Sequence, residues 1–476
     1  MNDSKKLYWR NTSGLTLAVF GHCVFTSLTS MALPMFYTDV MFIAPTSVSL
    51  IFLITRIWDA VNDPIMGSIV DRTHTRWGKC RPYLFFSSFL LLVLTILMFT
   101  PFPIQSEGGK FAIALTTYVL FITSFTMLDI PLAGLKTLLY TEPEERNKAM
   151  SFSSTFGSLG SLFSVDLFFI FVVFFGGGND KKGYFVTVVL LSIVAFLTLQ
   201  GGFFATREVV PTHNSKESFF QSMKAVMKNK YLMMIIIVQI CSVGINAYGI
   251  LLPYFSKWNL ANSFSFGRFS VESILIPALN TATGIVYMIA VFITPYLLKL
   301  GDKKKMYIIM SAIGFVFNVF SLLCGYENII LFIVIRVLAH IPPAITGTIA
   351  GYMILDCLDY TEYETGERTE GSTFAVNNLI LKIANAVFSS LIMFLLGVVG
   401  YDASINEPAL RMGEHMMHNY PDMLDGIFFL MTGMPAIGCL LQMIPMFFYK
   451  LTDSRVDSIV KELKVRRAAR GDVEAQ

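Results

Sequence analysis

The chain has 476 residues, of which 54% are hydrophobic and only 14% are charged, and its mean hydropathy is +0.61. Soluble domains carry about 25% charged residues, so the composition excludes a soluble globular protein and predicts an integral membrane protein. The formal net charge of +3 reflects a bias among the loops and does not indicate nucleic acid as a partner.

Twelve apolar stretches are long enough to cross a bilayer as helices, which requires about 20 residues each. Segments of this length exclude a β-barrel, whose strands are about 10 residues long. The predicted fold class is therefore an all-α membrane protein with twelve transmembrane helices in the plasma (inner) membrane. In chain order the stretches are 13–39, 47–70, 82–103, 112–139, 150–176, 184–205, 231–255, 271–298, 306–325, 328–355, 372–399 and 424–448.

The first stretch is too long for the core of a signal peptide, and no small-residue cleavage site follows it, so we expect it to remain as the first helix. Lys and Arg residues are strongly biased toward alternate loops when both termini are placed in the cytoplasm. This positive-inside bias predicts cytoplasmic termini and fixes the expected direction of every stretch.

A polar middle segment divides six stretches from six. The basic turn "GSIVDRTHTRWGKCRP" follows the second stretch, and "LLKLGDKKKM" follows the eighth, which is a faint internal repeat. The repeat indicates two six-helix bundles related by an axis along the membrane normal, with a binding site near the midplane between them. The expected organisation is a first bundle at 1–205, a cytoplasmic middle loop at 206–230, a second bundle at 231–450 and a cytoplasmic tail at 451–476.

The second stretch contains "RIWDAVNDPIMG", residues 56–67. Arg56, Asp59, Asn62 and Asp63 fall within about 120° of a helix circumference, so they share one face. Facing lipid, their three charges would together cost roughly 7–10 kcal/mol, so the face is expected to line the interior or a wet cavity. A neutral Arg56–Asp59 pair is the alternative interpretation, but one arginine cannot neutralise two aspartates.

The fourth stretch adds Thr126 and, one turn later, Asp129. Together with Asp59, Asn62 and Asp63 they would form an oxygen-rich cage of the kind that hard cations prefer. Crowded carboxylates also raise one another's pKa, so the same cage could hold a proton. The residues leave Na⁺ and H⁺ open as the coupling ion.

Other polar residues within the stretches are weaker signals. Lys382 in the eleventh stretch is expected to face the acids of the second and fourth stretches across a cavity, the alternative being a snorkelling lysine. His22 and Cys23 in the first stretch could line that cavity. Asp166 in the fifth stretch could pair with Lys136 or line the pore.

No motif supports catalysis, since the chain has no nucleophile elbow, P-loop, HExxH or GxGxxG in a fitting context. The six cysteines have no close pairs, which argues against a zinc site or a disulfide framework. We therefore expect no enzyme, no cofactor and no metal beyond a possible Na⁺.

The segment "RIWDAVNDPIMGSIVDRTHTRWGKCRP" resembles the glycoside–pentoside–hexuronide:cation symporter family of the major facilitator superfamily. The resemblance implies the major facilitator fold, a coupling cation on Asp59 and Asp63 with Asn62 and Thr126 nearby, and a role for Asp129 and Lys382 in joining the cation and solute sites. The other matching motifs, in order, are "YTDV" (37–40), "MLDIP" (127–131), "EERNKAM" (144–150), "DCLDYTEYETGERTEGS" (356–372) and "LK" (381–382).

At four positions where the resemblance implies a solute contact, large or charged groups of the family are replaced by small residues. These positions are Cys23, Ala133, Ser154 and Gly347. The replacements predict a wider pocket or a differently shaped glycoside. His22, Asn377 and Asn378 could supply replacement hydrogen bonds.

Charge placement at helix ends predicts an inner latch. Its expected members are Asp71, Arg72, Arg146, Glu362 and Arg368, with Arg56 as a partial counter-charge within the second stretch. The predicted function is cation-coupled symport of a glycoside, sugar or related solute by alternating access, by a monomer in the lipid bilayer. The alternatives are an uncoupled facilitator or exporter, and a receptor or enzyme, which would need a soluble domain or a catalytic cluster.

Overall fold

A computed structural model describes residues 3–209, 228–260, 271–365, 370–401 and 421–470, and these residues are helical apart from short connections. The α-helices are α1 (Asp3–Ser27), α2 (Leu33–Met35), α3 (Pro45–Asp71), α4 (Arg81–Met98), α5 (Glu107–Leu138), α6 (Pro143–Gly176), α7 (Asp180–Ala205), α8 (Lys230–Ser242), α9 (Ala247–Trp258), α10 (Val271–Leu297), α11 (Lys303–Cys324), α12 (Ile329–Ala339), α13 (Ile341–Thr365), α14 (Glu370–Val398), α15 (Pro421–Phe448) and α16 (Asp453–Arg470).

Short π-helical and 3₁₀-helical turns link several of these helices. Two π-helical turns, Leu28–Ala32 and Phe36–Val40, flank α2. They join α1 to α2 and continue the first helical segment as far as Val40. Such π turns are frequent at functional sites, because the extra residue reorients the side chains that follow it.

Eleven segments of the described chain are long and apolar enough to cross a membrane. Helix α3 is long enough at 27 residues, yet it is absent from that set because of its polar and charged residues, Arg56, Asp59 and Asp63 among them. The all-helical architecture predicted from the sequence is confirmed. The count of twelve spans and the cytoplasmic placement of the termini stay predictions.

The helices group into two compact units. Described residues within 1–214, 249–281 and 389–427 form the first unit, and those within 215–248, 282–388 and 428–476 form the second. The division falls inside α9, α10, α14 and α15. The organisation into bundles at 1–205 and 231–450 stays a prediction.

In the first unit, α1 lies along α6 and α7, and α5 lies along α3 and α4. Small residues allow the close approach of α1 to α7. A Cβ added at Gly21 would lie 2.6 Å from Thr198 Oγ1 and 2.7 Å from the Ala195 carbonyl oxygen. Membrane helices commonly pack through such small residues, because apolar side chains gain little by leaving lipid.

In the second unit, the segment expected as a cytoplasmic tail contains α16, which docks on the rest of the unit. Val456, Ile459 and Leu463 join the hydrophobic core formed with α8, α11 and α13. The Asp453 carboxylate accepts the backbone N–H of Lys303 at 3.0 Å and lies 3.5 Å from the Lys303 ammonium, which also donates to Asp356 at 2.6 Å. Helix α16 is therefore held by both apolar packing and its ion pair with Lys303.

Gly21→Ala is expected to destabilise the protein, because the added methyl group would collide with α7. Overpacking of this kind costs about 1–3 kcal/mol. The melting temperature of the purified protein in detergent measures the effect.

Gly249→Ala is the matched control, since a Cβ built there has no heavy atom of the described chain within 4 Å apart from the adjacent residues and the backbone of its own helix. Alanine is about 0.5–1 kcal/mol more favourable than glycine inside a helix, so this variant should melt at the same temperature or slightly higher. Equal melting temperatures for both variants would contradict the close packing of α1 on α7.

Candidate functional site

The predicted cation-binding side chains of α3 and α5 lie next to one another in the first unit. Thr126 Oγ1 donates a hydrogen bond to Asp59 Oδ1 at 3.2 Å, and one turn before it Thr123 Oγ1 accepts from Trp58 Nε1 at 2.9 Å. Asp59 is 3% exposed, and Thr126 is fully buried. Two successive contacts therefore hold α3 and α5 in a register that brings the predicted partners together.

Asn62 and Asp63 complete the polar face of α3. Asn62 is buried, and its Nδ2 has no hydrogen-bond partner among the described residues. Asp63 Oδ1 is excluded from solvent. Asn62 lies close to one helical turn after Asp59, so its amide faces the same side as the Asp59 carboxylate.

Arg56 is a weak counter-charge in this arrangement. Its Nη1 lies 4.0 Å from Asp59 Oδ2, and its side chain is 31% exposed. An ion pair at that separation with a partly solvated arginine is much weaker than a hydrogen-bonded one. The simple neutral pair that the sequence left open as an alternative is therefore present only in a loose form.

Asp129 on α5 binds His22 on α1. His22 Nε2 donates to Asp129 Oδ1 at 2.9 Å, and the imidazole stacks on Phe125 with ring centroids 4.9 Å apart. The Asp129 side chain is 39% exposed, in contrast to the buried Asp59. The hydrogen bond between His22 and Asp129 therefore joins α1 to α5. It is separate from the hydrogen bond between Thr126 and Asp59.

The sequence suggested His22 as a cavity-lining residue and as a source of replacement hydrogen bonds, and it did not pair His22 with Asp129. The two residues are 107 positions apart, so no local spacing could have found the pair. Asp166, for which Lys136 or the pore was suggested, accepts a hydrogen bond from Thr281 on α10 at 2.6 Å.

Three of the four small residues implied at the solute site lie in the first unit. Ala133 and Ser154 are exposed, and Cys23 is half-buried. Cys23 Sγ would lie 3.2 Å from a Cβ added at Gly157, which places it against α6. Side chains at 133 and 154 thus have open space beside them.

The remaining implied solute residues lie in the second unit. Gly347 and Asn378 are exposed, and Lys382 is half-buried. Asn377 is buried, and its Oδ1 has no hydrogen-bond partner among the described residues. A Cβ added at Gly347 would lie 3.8 Å from the Tyr287 hydroxyl on α10, so an aromatic side chain that the sequence did not single out borders this position.

The predicted inner latch is described only in part. Arg72 is exposed just after α3, Arg146 is half-buried in the first turns of α6, and Glu362 is half-buried in α13. The Asp71 backbone ends α3, whereas its side chain and the whole of Arg368 lie outside the described residues.

Glu208 holds the basic turn that follows α3, and nothing in the sequence pointed to it. Its carboxylate accepts the backbone N–H groups of Lys79, Cys80 and Arg81 at 2.7, 2.8 and 3.0 Å. These are unpaired donors at the start of α4, where a negative charge is favoured. A single acid just after α7 has no sequence pattern that could reveal this role.

Comparison with known proteins matches residues 14–453 to the family described as MFS/sugar transport protein. The uncharacterized symporter YjmB of Bacillus subtilis (strain 168) is 30% identical over 97% of this chain and 97% of its own length. The isoprimeverose transporter of Lactiplantibacillus pentosus is 28% identical over 93% of this chain and 89% of its own.

The fold is also similar to that of a solved structure. A bacterial homologue of the human lysosomal transporter Spinster matches with a TM-score of 0.63 and 13% identity, over 94% of this chain and 96% of that one. The chain is therefore a multi-pass membrane transporter rather than an enzyme, and it belongs to the MFS/sugar transport family as a member of its glycoside–pentoside–hexuronide:cation symporter group.

Proposed function

We propose that this transporter couples the inward movement of Na⁺ or H⁺ to the uptake of a glycoside, sugar or related organic solute through twelve membrane spans with both termini in the cytoplasm. The single observation that carries the proposal is the buried Asp59 carboxylate, which accepts a hydrogen bond from Thr126 and shares one face of α3 with Asn62 and Asp63. A buried carboxylate is stable when a cation or a proton compensates its charge.

The side chains around Asp59 suit either coupling ion. Turning the Asn62 amide over would place Oδ1 where the buried Nδ2 now lies, and amide orientation is decided by hydrogen bonding. A cation would then find oxygens from Asp59, Asn62 and Asp63, which are the ligands that Na⁺-like hard ions prefer. A proton would instead bind one of the two carboxylates.

Asp129 links the ion and the solute in this proposal. It lies one turn after Thr126 on α5, and its exposed carboxylate is oriented by His22. A cation at Asp59 would help to order α5 through Thr126. The affinity for a solute hydroxyl that donates to Asp129 would then depend on the position of α5. Such coupling between two ligands is typically about 1–3 kcal/mol and acts equally in both directions.

The membrane potential would supply part of the driving force. At 100 mV, moving one positive charge inward releases about 2.3 kcal/mol. That free energy corresponds to about fifty-fold accumulation of the solute. The isoprimeverose transporter among the relatives supports a glycoside as the class of solute.

Asp59→Asn is expected to abolish concentrative uptake, because the amide cannot carry the charge that attracts the cation. Solute exchange down a gradient should continue. Uptake and counterflow in membrane vesicles, each with Na⁺ or pH gradients imposed, would measure both activities.

Asp166→Asn is the matched control, since Asp166 is another carboxylate within a membrane helix, half-buried and bonded by Thr281 outside the Asp59 group. It should retain concentrative uptake. Unchanged accumulation in Asp59→Asn would contradict the cation-site assignment. Wild-type uptake without Na⁺ or pH dependence would favour the uncoupled facilitator instead.

His22→Ala is expected to weaken solute binding about tenfold or more, because Asp129 would lose the hydrogen bond that orients it. Cation affinity measured without solute should change much less. The control is Thr26→Val, on an exposed residue one turn further along α1 that bonds only its own helix among the described contacts. Titrating the purified protein with solute and with cation separately measures the two affinities. An equal loss of affinity for both would contradict the separate role of His22.

A thermal-shift screen of the purified protein against a panel of glycosides, with and without Na⁺, identifies the solute. The solute should raise the melting temperature, and the coupling ion should increase that rise because binding is reciprocal. Absence of any stabilising glycoside would contradict the proposed solute class.

A further inference from the structure

A second buried charge cluster lies at the far end of the first helical segment, around Asp39 in the π turn Phe36–Val40. Asp39 is 3% exposed and forms an ion pair with Lys257 at the end of α9. Tyr401, just after α14, donates its hydroxyl to Asp39 Oδ1 at 2.5 Å, and Thr38 donates to the same oxygen at 2.7 Å. We refer to Asp39, Lys257 and Tyr401 as the outer cluster.

Aromatic side chains enclose the outer cluster. Trp258 Nε1 donates to the Tyr401 hydroxyl at 3.2 Å, and the Lys257 ammonium lies 5.1 Å from the centre of the Trp258 ring. The Tyr254 ring packs edge-on against Tyr401 at 5.3 Å, and its hydroxyl bonds Thr38 at 3.1 Å. Every member of this shell is almost completely buried, and the Lys257 side chain keeps 14% of its surface exposed, so the cluster is largely shielded from water.

The backbone brings Tyr401 into position through a glycine. Gly400 adopts φ +89°, a left-handed conformation that ends α14 and turns the chain. The N–H of Tyr401 then bonds the Leu396 carbonyl at 3.2 Å. In the last turns of α14, a Cβ added at Gly397 would lie 2.9 Å from Thr46 Cγ2 in the first turn of α3, so helices α14 and α3 touch beside the cluster.

The three members come from segments that are far apart in the chain. Asp39 is 218 residues from Lys257 and 362 residues from Tyr401. Asp39 ends the first predicted span, and Lys257 and Tyr401 directly follow the seventh and eleventh, at ends that the positive-inside rule places on the external face. All three lie in the first compact unit, and in the predicted organisation the contact joins the first bundle to the second.

A charged contact suits a junction that must open repeatedly. A buried ion pair adds little net stability, because desolvation offsets most of its attraction, and apolar residues would hold a permanent junction as well. When the pair separates, water solvates both charges, and their hydration offsets part of the free-energy cost of opening. Charge with hydroxyl bonding therefore favours a reversible closure over a fixed one.

We propose that the outer cluster is the external gate of this transporter: while Asp39 is bonded to Lys257 and Tyr401, the solute has no route from the external face to the residues around Asp129, and separation of the pair opens that route. The inference requires transport by alternating access, but it is independent of the coupling ion and of the solute. It differs from the inner latch predicted from charge placement, which involves other residues at the cytoplasmic helix ends.

Cys23 provides a natural reporter, since it is half-buried on α1 beside His22. A variant that keeps only this cysteine would be labelled with a membrane-impermeant maleimide in right-side-out and inside-out vesicles. Asp39→Asn and Lys257→Met should each raise labelling from the external side about tenfold, in the range of typical coupling between conformational states. Tyr401→Phe removes a single hydroxyl and should raise it less.

The charge-swapped double variant Asp39→Lys with Lys257→Asp should return external labelling toward the wild-type level, because the attraction is restored. Lys110→Gln is the matched control, since Lys110 lies near the Phe42 ring outside the outer cluster, and its labelling should equal that of the wild type. Unchanged external labelling in both Asp39→Asn and Tyr401→Phe would overturn the proposal. Increased labelling from the cytoplasmic side alone would overturn it as well.

Discussion

The free-energy cost of placing charge in an apolar medium is the constraint on which this structure depends. Several of the described charges inside the helices have partners that offset that cost. Asp59 is bonded by Thr126, Asp129 by His22, and Asp39 by Lys257 and Tyr401. In the second unit, Arg336 donates to Asn318 at 2.8 Å and lies over the Tyr248 ring at 4.5 Å.

The partners of these charged side chains differ, and the differences suit different roles. The Asp39 carboxylate is fully engaged by a cation and two hydroxyls within the chain, which suits a contact that is made and broken as a unit. The buried Asp59 carboxylate lies against the Thr126 hydroxyl, with Arg56 4.0 Å away, and in the proposed function it holds the coupling ion. The Asp129 side chain is 39% exposed and accepts a hydrogen bond from His22, which suits the contact with a solute that we propose.

Small residues determine where the helices pack closely and where space remains beside them. Gly21 lets α1 lie close enough to α7 to carry His22 and Cys23 toward α5 and α6. At Ala133 and Ser154 in the first unit the side chains are small and exposed, so in the proposed function recognition of the solute would depend on nearby polar groups such as His22 and Asp129.

The sequence by itself determined that the chain is helical and membrane-embedded, and that Arg56, Asp59, Asn62 and Asp63 share one face of one helix. It also placed Thr126 and Asp129 one turn apart, because helical periodicity is a local property of the chain. Only the tertiary structure decided that Thr126 reaches Asp59, that Asp129 turns to His22, that Glu208 holds the turn before α4, and that Asp39 meets Lys257 and Tyr401. Those partners are fixed by how helices distant in sequence lie against one another, and no spacing along the chain encodes that arrangement.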